Sequence, residues 1–145
     1  MPPENDPELF ISEYTSEFVD RWDELIDWER RRRAEGGFFE NILAANRAKT
    51  VLDIACGTGY HTVNLGLSGY DITGSDGSTN MVEKAKENAK QSGLEHVRLL
   101  VANWVSLTSS FPNERFDAIV CLGNAFTHLF NDEARIKALG EIYGL

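Results

Sequence analysis

The chain has 145 residues, of which 42% are hydrophobic and 26% charged, a composition typical of a globular protein with one core. The 23 aspartates and glutamates outnumber the 14 lysines and arginines, and the formal charge of −9 repels phosphate backbones and anionic membranes. We therefore expect no nucleic-acid partner and no membrane partner. No apolar run approaches the roughly 18 to 20 residues that span a bilayer, and the start lacks a secretory signal, which predicts a cytoplasmic protein.

The N-terminal third is predicted to be helical. Gly36 and Gly37 interrupt it, which predicts one helix near 8–34 and a second from about 37–46. We interpret residues 1–48 as a helical arm, or lid, on the remainder. The prediction rests on apolar residues at spacings of three and four, namely Phe10, Tyr14, Phe18, Trp22, Leu25 and Ile26.

Residues 49–145 are predicted to form an α/β core. Runs rich in Val, Ile and Leu at 50–55, 70–76, 97–102 and 116–122 predict four strands separated by helices, and hence a Rossmann-like, doubly wound parallel sheet. The clearest helix has Ser78 as N-cap and Gly93 as its stop. Its apolar stripe consists of Met81, Val82, Ala85 and Ala89.

The chain closes on a predicted helix after the fourth strand. One side of the sheet is then unfinished, so we expect C-terminal strands to be missing and the chain to be a fragment of a longer protein.

The cysteines and histidines show no metal-ligand spacing, so no metal site is predicted. Cys56 and Cys121 end neighbouring strands and are interpreted as small buried residues, not as a disulfide or a nucleophile. We expect His61 on the surface of a helix and His96 in a loop.

A glycine turn follows the first predicted strand. Gly57 and Gly59 stand where a backbone can approach a ligand, and Asp76 ends the second strand, where a carboxylate can accept both hydroxyls of a ribose. A third glycine, required beneath a pyrophosphate, is replaced by Thr62, and Asp53 suits a neighbouring cation better than a phosphate. These features favour a cationic nucleoside cofactor without phosphate, and S-adenosylmethionine fits.

The segment "DIACGTG" (53–59) resembles the acid-x-G-x-G-x-G signature of class I S-adenosylmethionine-dependent methyltransferases, with Ala55 replacing the first glycine. The alternative is a plain strand–turn–helix with chance glycines. "ANWVSL" (102–107) and "FDAIVCLGNAFTHL" (116–129) resemble glycine N-methyltransferases, and with "DRWDELIDWERRRR" (20–33) the chain is most similar to the glycine/sarcosine N-methyltransferases of betaine synthesis. The segment "CLGNAFTHL" lacks the motifs of enzymes that methylate DNA bases.

The resemblance implies roles for individual residues on the cofactor. Ala55 and Gly57 would pack against its methionine part, and Asp76 would hold the ribose. Met81 would lie against adenine, although its helical spacing is equally consistent with a core residue. Asn103 and Trp104 would border the adenine, with the Trp104 indole N–H as a polar edge. Leu122 would lie near the sulfonium. The arm would close over the methionine carboxylate and the acceptor through Tyr14, Trp22 and either Arg32 or Arg33.

The implied reaction transfers a methyl group to the amine of glycine or sarcosine and leaves S-adenosylhomocysteine. Asn124 would orient the amine and His128 would accept its proton. The arginine for the acceptor carboxylate would follow a fifth strand, beyond this chain. Two alternatives stay open: a non-catalytic fragment that binds the cofactor, and a class I methyltransferase for another small amine or carboxylate. The number of methyl groups added and the oligomeric state are left open.

Overall fold

The computed structural model describes residues 14–145. In the described part of the arm, residues 14–48, there are three helices: α1 (Ser16–Ile26), α2 (Trp28–Glu35) and α3 (Phe38–Ala45). The break predicted at Gly36 and Gly37 is present, with both glycines at positive φ. Phe10 and the predicted helix start near residue 8 lie outside the described residues.

The single long helix predicted for the first part of the arm is wrong. Asp27 interrupts it with a left-handed φ of 47°, and its backbone N–H donates to the Asp23 carbonyl at 3.1 Å, closing α1. The Asp27 carboxylate then accepts from the Arg30 N–H at 3.0 Å and caps α2. One aspartate therefore ends one helix and begins the next.

Four parallel strands form the sheet: β1 (Thr50–Asp53), β2 (Asp71–Asp76), β3 (Arg98–Val101) and β4 (Ala118–Val120). Their order is β3-β2-β1-β4, so the chain builds outward from β1 on one side and then crosses to the other. The predicted doubly wound sheet is confirmed. The reversal of strand order falls beside β1, where open sheets of this kind bind their ligands at the carboxyl ends.

The remaining helices are α4 (Tyr60–Leu67), α5 (Thr79–Gln91), α6 (Leu107–Ser110) and α7 (Asp132–Tyr143), with 3-10 turns at Trp104–Ser106 and Ala125–His128. The prediction for α5 is confirmed: the Ser78 hydroxyl accepts from the Met81 N–H at 3.3 Å, and Gly93 follows the helix at a φ of 81°. The predicted stripe on this helix is buried.

Helices cover both faces of the sheet because successive residues of β1 point to opposite sides. Val51 packs with Leu65 of α4, whereas Leu52 packs with Leu107 of α6. All four are buried. This sandwich leaves the carboxyl ends of the strands facing the arm. Within residues 14–145, no helix is both long enough and apolar enough to cross a bilayer.

Candidate functional site

The glycine turn after β1 supplies a bare stretch of backbone. Gly57 and Gly59 have φ values of 52° and 94°, which L-residues rarely adopt. A Cβ at Gly59 would lie 3.2 Å from Ala85 Cβ, so this glycine allows α4 to start against α5. A Cβ at Gly57 would meet nothing within 4 Å. Gly57 therefore leaves free space at the carboxyl end of β1.

Asp76 holds this turn from the neighbouring strand. Its Oδ2 accepts from the Gly57 N–H at 3.0 Å, and its Oδ1 accepts from the Ser78 N–H at 2.9 Å. Burial raises the pKa of Asp76, and the N–H donors of Ser78 and Gly57 partly offset that rise. A carboxylate has about four lone-pair sites, so Asp76 has acceptor capacity left for a ligand hydroxyl.

A cavity of about 380 Å³ lies between these strand ends and the arm. Its volume is within the range of small-molecule sites. Of the residues to which the resemblance assigns a role in the site, all but two line it: Tyr14, Trp22, Ala55, Gly57, Asp76, Met81, Asn103, Trp104, Leu122, Asn124 and His128.

Arg32 and Arg33 are the two that the structure does not bring to the cavity. Arg32 donates to Asn64 Oδ1 at 2.5 Å, and Arg33, with 73% of its side chain exposed, pairs with Glu29 at 3.8 Å. Arg31 lines the cavity in their place. Successive residues of an α-helix point about 100° apart, so a shift of one position moves an arginine from the site to the surface.

Arg31 is held rigidly beside the glycine turn. Its Nε donates to Glu35 Oε1 at 2.8 Å, and its guanidinium lies 4.9 Å from the centroid of the Tyr60 ring. Burial favours a higher pKa for Glu35, but the Arg31 hydrogen bond and the neighbouring His61 bring it below the ordinary value. Arg31 is therefore an anchored cation at the arm side of the cavity.

His61 does not lie on a helix surface, as the sequence predicted, but is buried, with 9% exposure. Helix α4 is covered there by the arm: His61 Nε2 lies 3.1 Å from Glu35 Oε1, and the ring packs edge-to-face on Phe39 and Tyr60. Burial lowers the pKa of His61 despite Glu35, so the ring is neutral at pH 7. In the sequence, the i,i+4 spacing of Arg31 and Glu35 was the feature from which their ion pair could have been predicted. His96 is exposed in a turn, as expected.

Trp104 lies at the cavity, but its indole N–H does not provide the expected polar edge. The Nε1 donates to the Ile54 carbonyl at 2.6 Å, and the ring stacks on Phe126 with centroids 6.0 Å apart. The neighbouring Asn103 accepts from the Val105 N–H at 3.0 Å and caps the 3-10 turn. Trp104 therefore presents only apolar surface to a ligand.

Two aromatic side chains connect the arm to the segment after β4. The Tyr14 hydroxyl and His128 Nε2 are hydrogen-bonded at 3.0 Å, and the Tyr14 carbonyl accepts from Asn80 Nδ2 at 2.8 Å. Gly123, at a φ of 74°, turns the chain after Leu122 and brings Asn124 to the cavity. The Tyr14–His128 contact thus spans one side of the site.

Asp53 lies behind the glycine turn and not beside a ligand, so the role suggested for it next to a cation is not supported. It is 1% exposed and accepts from the Thr62 hydroxyl at 3.0 Å and the Ala55 N–H at 3.2 Å. Burial raises its pKa to about 7, against these two hydrogen bonds. Its position makes it a structural support of the turn.

The two cysteines follow adjacent strands and are free. Burial raises the pKa of Cys56 well above its usual value, and burial raises that of half-buried Cys121 to about 11. Both are thiols at neutral pH and therefore poor nucleophiles. Among residues 14–145, no three histidine, cysteine or acidic side chains converge as metal ligands would.

A family model described as a methyltransferase domain matches residues 51–145, and the chain belongs to this family. It is 46% identical over 136 residues to the glycine/sarcosine N-methyltransferase of Parasynechococcus marenigrum, covering 94% of this chain and 48% of that protein. The corresponding protein of Aphanothece halophytica is 44% identical, with 97% and 52% covered. The chain thus spans about half the length of the curated relatives it matches.

Among solved structures, an S-adenosylmethionine-dependent methyltransferase from Clostridium acetobutylicum superimposes with a TM-score of 0.72. It is 24% identical, and the match covers 88% of this chain and 51% of that one. The predicted methyltransferase fold is therefore confirmed.

Proposed function

We propose that this chain is the cofactor-binding part of an S-adenosylmethionine-dependent N-methyltransferase that acts on glycine, sarcosine or both. The observation that most directly supports this proposal is the Asp76 carboxylate, which two backbone N–H groups hold beside the free space at Gly57. An acid in this position suits a ribose diol, and the cavity around it has room for a nucleoside with a short tail. The relatives that are 43–46% identical support glycine or sarcosine as the acceptor.

The residues that line the cavity match the chemical groups of this cofactor. Asp76 would accept the ribose hydroxyls, and Met81 and Trp104 would supply apolar surface for adenine. Asn103 would border the same ring. Ala55 and Gly57 would contact the methionine part, and Leu122 would lie near the sulfonium.

On the arm side, we assign the methionine carboxylate to Arg31 in place of Arg32 or Arg33. A guanidinium binds a carboxylate through two parallel hydrogen bonds, and Arg31 already faces the cavity. Tyr14 and Trp22 would close the site beside it.

When bound, S-adenosylmethionine would supply a methyl group already activated by the sulfonium, and S-adenosylhomocysteine would be its product after transfer to the acceptor nitrogen. The protein must therefore align a neutral amine and exclude water. Asn124 would orient the amine through its side-chain oxygen, and His128 would take up the proton that the amine releases. The bond to Tyr14 at 3.0 Å would hold the His128 ring in position.

We propose further that residues 1–48 form a lid on a core of residues 49–145, and that the ligands are small molecules. The absence of nucleic-acid partners and the cytoplasmic location stay predictions.

The test is methyl transfer from labelled S-adenosylmethionine to glycine, sarcosine and dimethylglycine, with products identified by mass. This chain is assayed beside the product of its full reading frame. Transfer to glycine or sarcosine by the longer protein alone would make this chain a binding fragment of that enzyme. Transfer by neither, with S-adenosylhomocysteine still bound, would keep the cofactor and reject the acceptor.

A further inference from the structure

A network of hydrogen bonds connects the arm to the glycine turn. Asp23 of α1 accepts through Oδ1 from the Trp28 indole N–H at 3.1 Å and from the Thr58 hydroxyl at 2.5 Å. Its Oδ2 accepts from Asn88 Nδ2 at 2.7 Å, and Asn88 Nδ2 also donates to the Thr58 carbonyl at 2.9 Å. We call these four residues the Asp23 network; they come from α1, α2, the turn and α5.

On the core side, the network binds the glycine turn through Thr58, which itself lines the cavity. Thr58 lies between Gly57 and Gly59 and is 1% exposed. Its hydroxyl and its carbonyl are both bound within the network. Asp23 is therefore joined directly to the turn as well as to α2 and α5.

On the arm side, the network is adjacent to residues that face the cavity. Trp22 and Ile26 belong to the same helix as Asp23, and both line the cavity. The Trp28 ring packs edge-to-face on Tyr60, with centroids 5.5 Å apart, and Tyr60 supports the Arg31 guanidinium. Asp23 itself is not part of the cavity wall.

We propose that Asp23 is a positioning residue, which fixes the arm on the glycine turn so that Trp22 and Arg31 are held across the cavity from the turn. The inference rests on the proposed function for the identity of the ligand. Three donors on one carboxylate make a charge-assisted junction, and such hydrogen bonds are about twice as strong as neutral ones. The ion pair between α1 and α5, Asp20 with Lys84, is 3.7 Å long, and Asp20 is 72% exposed. Exposed pairs of that kind contribute little.

Asp23→Asn tests this proposal, and Asp20→Asn is the matched control, since both make the same chemical change on one helix. An asparagine at 23 has one acceptor atom, and its NH2 group would face the Asn88 donor. We expect the affinity for S-adenosylhomocysteine, measured by calorimetry, to fall about tenfold or more in Asp23→Asn, the loss expected for one hydrogen bond to a charged group. The affinity for adenosine, which does not reach Arg31, should stay unchanged, and Asp20→Asn should bind both ligands normally.

Thr58 provides the second arm of the test. Thr58→Val removes the hydroxyl donor and should reproduce the selective loss, whereas Thr58→Ser keeps the donor and should restore binding. Equal losses for both ligands in Asp23→Asn would indicate general damage and overturn the positioning role. Unchanged affinity for S-adenosylhomocysteine in Asp23→Asn would overturn it as well.

Amide hydrogen exchange of the free chain separates this inference from the proposed function. Asp23→Asn should speed exchange in residues 16–35 relative to Asp20→Asn while leaving residues 79–91 protected. Equal protection of the arm in both variants would overturn the anchoring. Failure of the wild type to bind S-adenosylhomocysteine would contradict the proposed function alone, and exchange would still decide whether Asp23 anchors the arm.

Discussion

The Thr62 hydroxyl donates to the Asp53 carboxylate at 3.0 Å beneath the glycine turn. Thr62 occupies the position where a dinucleotide fold needs a third small residue for close packing of helix and strand. Here the small residue is on the strand: a Cβ at Gly74 would lie 2.7 Å from Leu99 Cδ2 and 2.8 Å from Thr62 Oγ1. The Thr62–Asp53 pair therefore places a side-chain hydrogen bond beneath the turn, at the position where a dinucleotide-binding fold has a small residue.

Asp53 should make stability fall as the pH rises toward neutrality. Burial raises its pKa to about 7 from 3.8, so between those values the folded chain holds a proton that the unfolded chain has lost. The free energy of unfolding therefore decreases with pH in this window. Asp53→Asn keeps a neutral group of similar shape and should remove a loss of about 3 kcal/mol between pH 5 and pH 8.5.

Urea unfolding at pH 5 and pH 8.5 checks this expectation, with Asp117→Asn as control. Backbone N–H donors of Thr50 and Lys49 lower the pKa of Asp117, so its contribution is lost only in acid, the opposite sign. Parallel pH profiles for the wild type and Asp53→Asn would contradict the assignment.

Asp76→Asn should weaken binding of S-adenosylhomocysteine by about 100-fold or more, since an amide cannot accept from both N–H groups and from a diol. Calorimetry gives the affinity directly. Asp71→Asn, at the exposed opposite end of β2, is the control and should bind normally. Normal affinity in Asp76→Asn would refute the site.

Arg31→Ala should lower the affinity for S-adenosylhomocysteine by about tenfold or more, because it removes the charged donor to the tail carboxylate. The affinity for adenosine should not change. Arg33→Ala, two positions on and exposed, should leave both affinities unaltered. A loss of affinity in Arg33→Ala but not in Arg31→Ala would instead support Arg33, as the sequence suggested.

Asp27→Val should destabilise the chain by about 2 kcal/mol, since valine loses the cap of α2 and is strained at positive φ. Asp27→Asn tolerates this conformation, retains an acceptor and should stay within about 0.5 kcal/mol of the wild type. Thermal unfolding measures both, and equal midpoints for wild type and Asp27→Val would show that the break does not depend on the aspartate.

The sheet and the location of the cavity were predictable because their signals are local. Apolar runs separated by helices specify parallel strands, and the glycines after β1 together with Asp76 at the end of β2 mark the ligand edge. The Ser78 cap and the buried stripe of α5 follow from spacing in the same way.

The finer errors arise from contacts that the local sequence does not determine. The apolar residues that predicted the first helix end at Ile26, and no glycine or proline marks position 27, so the left-handed conformation of Asp27 was not visible. Distinguishing Arg31 from Arg32 and Arg33 requires the rotation of α2 against the core. The burial of His61 depends on the arm covering α4, and the indole bond of Trp104 depends on the Ile54 carbonyl, 50 positions away.

The hydrogen bond between Tyr14 and His128 joins residues 114 positions apart, and the cavity walls come from both ends of that span. Because closing so long a loop is slow, we expect these walls to meet late in folding. A ligand that needs the completed cavity then stabilises the native state and not the transition state. It should slow unfolding while leaving the rate of folding unchanged.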